Sequence, residues 1–173
     1  MKNITLMLVF IGMISLQSCT VSDSPAAQQI TNNNNFLATT LEYTRSFTAG
    51  NNFSTLVTFP QAIYSSDMVL VYRLSSVYQG QDVWKLLPEN FYLNNGTLDF
   101  GYNFDFTKND ASIYMIGNDL GTINSSYLNN QVLRVVIIPA NFGNKTINNI
   151  NYMDYNAVAK AYNIEESKVL KIK

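Results

Sequence analysis

Leu98-Asp99-Phe100-Gly101-Tyr102-Asn103-Phe104-Asp105-Phe106 is the stretch that decides the fold class. Leu98, Phe100, Tyr102, Phe104 and Phe106 share one parity, and Asp99, Gly101, Asn103 and Asp105 share the other. Successive side chains of a strand point to opposite faces, so this alternation describes a strand with one dry face and one wet face. Just before it, Asn94-Asn95-Gly96 carries the Asn-Gly pair that favours positive φ in a hairpin turn, and Phe91-Tyr92-Leu93 leads into that turn.

Working outward, the same punctuation recurs. Residues 36–47 hold Leu41, Tyr43, Arg45 and Phe47 on one parity, and Ala49-Gly50-Asn51-Asn52 then breaks the run. Strands are expected over 53–59, ended by Pro60, over 83–87, ended by Pro88, and over 111–116, ended by Gly117. Residues 67–74 and 131–138 are apolar on both parities, as strands covered on both faces must be. The C-terminal part changes period. Tyr155, Val158, Ala159 and Tyr162 recur at helical spacing, Asp154 fits an N-cap and Asn163 a stop. Residues 168–173 could add a last short strand. About eight short strands separated by turn signals predict a mainly β protein, an antiparallel sandwich, with one short C-terminal helix near 154–163.

Composition sets the limits. With 173 residues, 47% of them hydrophobic and only 13% charged, one folded domain with a real core is expected. The formal charge is -1, and removing Lys2 with a leader leaves -2. No broad basic field exists, which argues against nucleic acid as a partner. The chain has no histidine, so neither a Ser-His-Asp triad nor a histidine metal site can form. Its single cysteine, Cys19, cannot make an internal disulfide.

The first 35 residues read as targeting rather than fold. Lys2 precedes an apolar run over 4–16, too short and too close to the N-terminus for an ordinary spanning helix. Leu16-Gln17-Ser18-Cys19 follows and resembles the lipobox of bacterial lipoproteins, in which the cysteine becomes the lipidated first residue. The expected organisation is a signal peptide over 1–18, a polar tether over 19–35 and a β domain over 36–173. By analogy with other lipoproteins, Thr20 gives no inner-membrane retention signal, so an outer-membrane location is expected, with the membrane face left open.

Several stretches of the domain are similar to a group of small uncharacterised lipoproteins of the Bacteroidetes, especially flavobacteria. They are Ser66-Asp67-Met68-Val69-Leu70-Val71-Tyr72-Arg73-Leu74, Asp82-Val83-Trp84-Lys85-Leu86-Leu87-Pro88, Tyr102-Asn103-Phe104-Asp105-Phe106-Thr107 and Leu133-Arg134-Val135-Val136-Ile137-Ile138-Pro139. In longer relatives this domain follows a collagen-like Gly-X-Y segment, whose place the polar tether takes here. The resemblance implies an envelope location and no particular activity.

Candidate site residues follow from chemistry. Arg73 and Arg134 sit in strongly apolar strands, where a guanidinium must be paired. Asp99 and Asp105 offer partners within the domain, and an anionic ligand held by an Arg fork is the sharper alternative. Asp99, Asn103 and Asp105 carry oxygen donors suited to Ca²⁺, although strand neighbours two apart lie about 7 Å from each other, too far to chelate without an adjoining strand. Trp84, Tyr78 and Tyr92 are candidates for a sugar-stacking platform, with a core role for Trp84 as the simpler reading. Tyr127, in a polar loop, is the aromatic expected to be exposed. Asp82, Glu89 and Asp99 are carboxylates from which a histidine-free glycosidase pair could be drawn. The reading that follows is a lipid-anchored envelope protein with a non-catalytic binding or structural role and no cofactor. Its partners are the membrane, through the lipid, and a glycan or another envelope protein. A glycan-binding module is the second reading and a carboxylate-based glycosidase the third.

Overall fold

The computed structural model describes residues 38–140 and 149–172, all within the compact unit Asn34–Lys173. The leader, Cys19 and the tether lie outside the described residues. Among the described residues nine strands and two α-helical segments follow in chain order, besides short 3-10 turns: β1 Thr39–Arg45, β2 Ser54–Thr58, β3 Met68–Tyr78, β4 Gln81–Leu86, β5 Glu89–Tyr92, β6 Leu98–Phe106, β7 Asp110–Gly117, the single turn α1 Ser125–Leu128, β8 Gln131–Ile138, α2 Tyr155–Ala161 and β9 Leu170–Ile172. They form a five-stranded sheet in the order β4-β3-β8-β1-β9 and a four-stranded sheet in the order β2-β7-β6-β5. Every pairing is antiparallel except β1 with β9. Among the described residues no helix is long and apolar enough to cross a membrane.

The side-chain alternation explains the layering. Leu41 and Tyr43 of β1, Val69 and Val71 of β3, and Leu133, Val135 and Ile137 of β8 form one inner face. They pack against Val57 of β2, Phe100 and Tyr102 of β6, and Ala111, Ile113 and Met115 of β7. The opposite parity of the larger sheet supplies Leu70, Tyr72, Trp84, Val136 and Ile138, which α2 covers with Tyr155, Val158 and Tyr162. A mainly β sandwich carrying one C-terminal helix results, with three layers. Strands β3 and β8 are apolar on both parities because one face meets the second sheet and the other meets α2.

Local signals act where the sequence places them. Asp154 caps α2 by accepting from the N–H groups of Asn156 and Ala157, and Asn163 takes a left-handed φ of 53° beyond its end. The turn between β5 and β6 has Gly96 at φ 84°, with the Leu93 N–H donating to the Thr97 carbonyl at 2.8 Å. Gly101 is required by close approach: a Cβ there would lie 2.3 Å from Oδ1 of Asn90 and 2.9 Å from the Glu89 carbonyl oxygen.

Three differences from the sequence reading matter. Strand β3 runs to Tyr78 rather than ending at 74, and β4 starts at Gln81 rather than 83. A bulge between Leu74 and Ser76 resets the parity and hides the continuation. Gln79 at φ 50° and Gly80 at φ 76° then close a two-residue hairpin of the kind that needs positive φ at both positions. Finally, β9 joins the larger sheet parallel to β1, so that sheet is mixed rather than purely antiparallel.

Candidate functional site

The two buried arginines define opposite sides of the larger sheet. Arg73 points into the sandwich, where its Nε lies 2.8 Å from Glu89 of β5 and its Nη1 donates to Gln131 at 3.1 Å. Its guanidinium stacks over Tyr102, 4.8 Å from the ring centre. Arg134 points toward α2. Its Nε meets Glu42 at 2.9 Å, and Nη1 and Nη2 grip both oxygens of Glu166 at 2.9 and 2.8 Å. The same guanidinium lies 4.1 Å above the Trp84 ring and 4.9 Å from the Tyr155 ring. Burial works against the Arg134 charge, and hydrogen bonds to Glu166 and Glu42 more than offset it, so its pKa is raised.

These pairings correct the expectation that Asp99 and Asp105 serve as partners. Both aspartates belong to the outward parity of β6, whereas Glu89 shares the inward parity of β5 with Phe91. Tyr127 is also corrected. It is partly buried, its ring 5.1 Å from those of both Phe91 and Phe100, and its carbonyl accepts from the Tyr102 hydroxyl. The polar residues around Tyr127 disguised a side chain that plugs one end of the sandwich. Asp99, Asn103 and Asp105 lie along the outer face of β6, and the Asn103 amide oxygen accepts from the N–H of Phe104. No three carboxylates converge in metal-binding fashion among the described residues. The three nominated acids are likewise apart: Glu89 is inside the sandwich, Asp99 on the outer face of the smaller sheet, and Asp82 on β4.

One groove draws together Tyr78 and Trp84, two of the aromatics expected to stack on sugar. It has a volume of about 300 Å³. Tyr78, Gln81, Asp82, Val83 and Trp84 of the β3–β4 hairpin line one side. Met153, Asp154, Tyr155 and Asn156, from the turn into α2, line the other. Trp84 is only 8% exposed, held between Arg134 and Tyr155, and forms a fixed base; Tyr78 at 67% and Met153 at 73% stand out at the rim. The far wall is anchored from below, because the Tyr72 hydroxyl donates to the Tyr152 carbonyl at 2.7 Å. It is also fixed locally, since the Met153 N–H donates to Oδ1 of Asn151 at 3.1 Å. Burial pushes the Tyr155 phenol up to about 12 and raises those of Tyr72 and Tyr162 as well, so all three stay neutral hydrogen-bonding groups well into the alkaline range.

No family model, curated protein or solved structure matches the chain.

Chemistry alone then describes the groove. Tyr78 offers an apolar ring face to a ligand, and Gln81, Asp82 and Asn156 offer amide and carboxylate groups. Asp154 spends Oδ1 on the helix cap, which fixes its carboxylate in place. A ligand suited to such walls has a flat apolar face and a rim of hydroxyls, the amphipathic character of a sugar ring. Tyr78, Trp84 and Asp82 were visible in the sequence as separate residues. Met153, Gln81 and Asn156 were not; the Gln79-Gly80 turn could have placed Gln81 at the hairpin's end, but no local signal brings Met153 and Asn156 to it.

Proposed function

We propose that this protein is a lipid-anchored envelope protein, non-catalytic, whose β-sandwich binds a saccharide in the groove between the β3–β4 hairpin and the turn into α2. The observation that carries the binding part is the meeting of exposed Tyr78 with Trp84 beside the polar side chains of Gln81, Asp82 and Asn156. The anchoring part rests on Lys2, the apolar run over 4–16 and Leu16-Gln17-Ser18-Cys19. A lipoprotein cysteine normally bears more than one acyl chain, and stable attachment needs more than one, each buried CH₂ contributing about 0.8 kcal/mol. The likeness to small lipoproteins of the Bacteroidetes agrees with that placement, with the outer membrane as the destination.

Two measurements test this reading. Membrane fractionation of cells should place the wild type with membranes and Cys19→Ala in the soluble fraction; equal partition of the two removes the anchor. Co-sedimentation of the purified domain with insoluble polysaccharides should retain the wild type and release Tyr78→Ala. Liberation of reducing sugar by the wild type would instead make the protein an enzyme and overturn the non-catalytic reading.

A further inference from the structure

We infer that the groove selects uncharged saccharides over anionic ones and that Asp82 is the residue that sets this preference. The inference rests on the saccharide reading of the groove and adds the charge class of its ligand. Among the described residues that line the groove, Asp82 and Asp154 are carboxylates and there is no lysine or arginine. Arg134, whose guanidinium lies 4.1 Å from the Trp84 ring centre, is not among the lining residues and is already paired with Glu42 and with both oxygens of Glu166. With two carboxylates already on it, this guanidinium brings no net positive charge to a sugar carboxylate or sulfate in the groove. A uronic acid or sulfated sugar would enter against the carboxylates of Asp82 and Asp154, of which Asp82 has no partner among the described residues.

The two aspartates differ in what they are free to do. Asp154 is committed to α2 through the N–H groups of Asn156 and Ala157. The Asp82 side chain makes no hydrogen bond or ion pair to any described residue, while its backbone is held in the hairpin register, Val77 opposite Asp82 and Tyr78 opposite Gln81. An exposed carboxylate in a rigid hairpin with no partner inside the protein is placed to accept hydroxyl hydrogens from a neutral sugar and to repel an anionic one.

Calorimetric titration of the purified domain with neutral gluco- and manno-oligosaccharides, and with oligogalacturonates of equal length, tests this at low salt. The neutral series should bind at least about tenfold more tightly, and added salt should narrow the gap. Asp82→Asn should narrow it too, by raising affinity for the oligogalacturonate while leaving thermal unfolding unchanged. Asn156→Asp, which adds a third charge to the groove, should widen it. Equal affinity for both series, or a ratio that neither variant moves, overturns the charge selection while leaving saccharide binding intact. Failure of both series to bind overturns the saccharide reading itself, and the inference with it.

Discussion

Arg73 and Arg134 divide the work of holding three layers together. Each lies in the larger sheet with its charge buried, and each is tied to an acid on a different element: Arg73 to β5 of the opposing sheet, Arg134 to β1 and to Glu166 beyond α2. A buried ion pair adds little net stability, but removing one partner strands the other. Arg73→Ala is therefore expected to cost about 3–5 kcal/mol in urea unfolding, whereas Arg73→Met combined with Glu89→Leu should recover most of that loss. A double variant as unstable as the single one would mean that shape rather than charge is at stake. The buried phenols make a second claim at this scale. Tyr72, Tyr102, Tyr155 and Tyr162 all have raised pKa values, principally through burial. An unfolded phenol titrates near about 10, so above that pH the folded chain holds protons that the unfolded chain releases. Their contribution is complete below about pH 10 and is lost as pH rises through the folded values. Urea midpoints should stay level across that limit's acid side and fall on its alkaline side, together with a late phenolate absorbance step coincident with unfolding. Phenolate absorbance that rises in full before any unfolding would contradict burial of these rings.

Among the described strands, β9 is the shortest and lies at a sheet edge. It is three residues long, pairs only with β1, and is fastened through Glu166 to Arg134 and through Lys171 to Glu42 at 3.3 Å. Because the Glu166 side chain is 60% exposed, its ion pair is screened. Glu166→Gln should accordingly cost only about 1–2 kcal/mol, yet speed hydrogen exchange at β9 and at the neighbouring edge of β1 well ahead of β3 and β8. Uniform acceleration across all strands would show that β9 is not a separate unit. Most of the elements were legible in the sequence, for reasons that differ. Strand β6 announces itself by alternation, β8 and β3 by apolar residues on both parities, each interrupted by one arginine, and α2 by Asp154 and a change of period. What stayed hidden was the far end of β3. The bulge after Leu74 breaks the period of 2 at the place where Ser-Ser-Val-Tyr already reads as a loop. The candidate groove depends on that hidden end, which is why its residues looked unrelated along the chain. The arginine partners were hidden for another reason: charge pairing needs strand order, and sequence parity alone cannot say that β5 faces Arg73 or that β1 lies beside Arg134.

For the whole molecule, the two faces of the sandwich have different fates. The larger sheet is covered by α2, and the groove opens where that cover meets the β3–β4 hairpin. The smaller sheet keeps the polar parity of β6 outward, with Asp99, Asn103 and Asp105 along it. Among the described residues the domain presents a structured recess on a rigid base, as a binding module requires. The base of that recess contains the sole tryptophan of the sequence. Fluorescence of Trp84 during titration with neutral oligosaccharides is therefore the most direct measurement of the central claim. A saturable change in emission that Tyr78→Ala abolishes, without loss of thermal stability, is the predicted result. Emission that stays constant across the whole series, or that changes equally in the wild type and in Tyr78→Ala, would contradict saccharide binding in this groove.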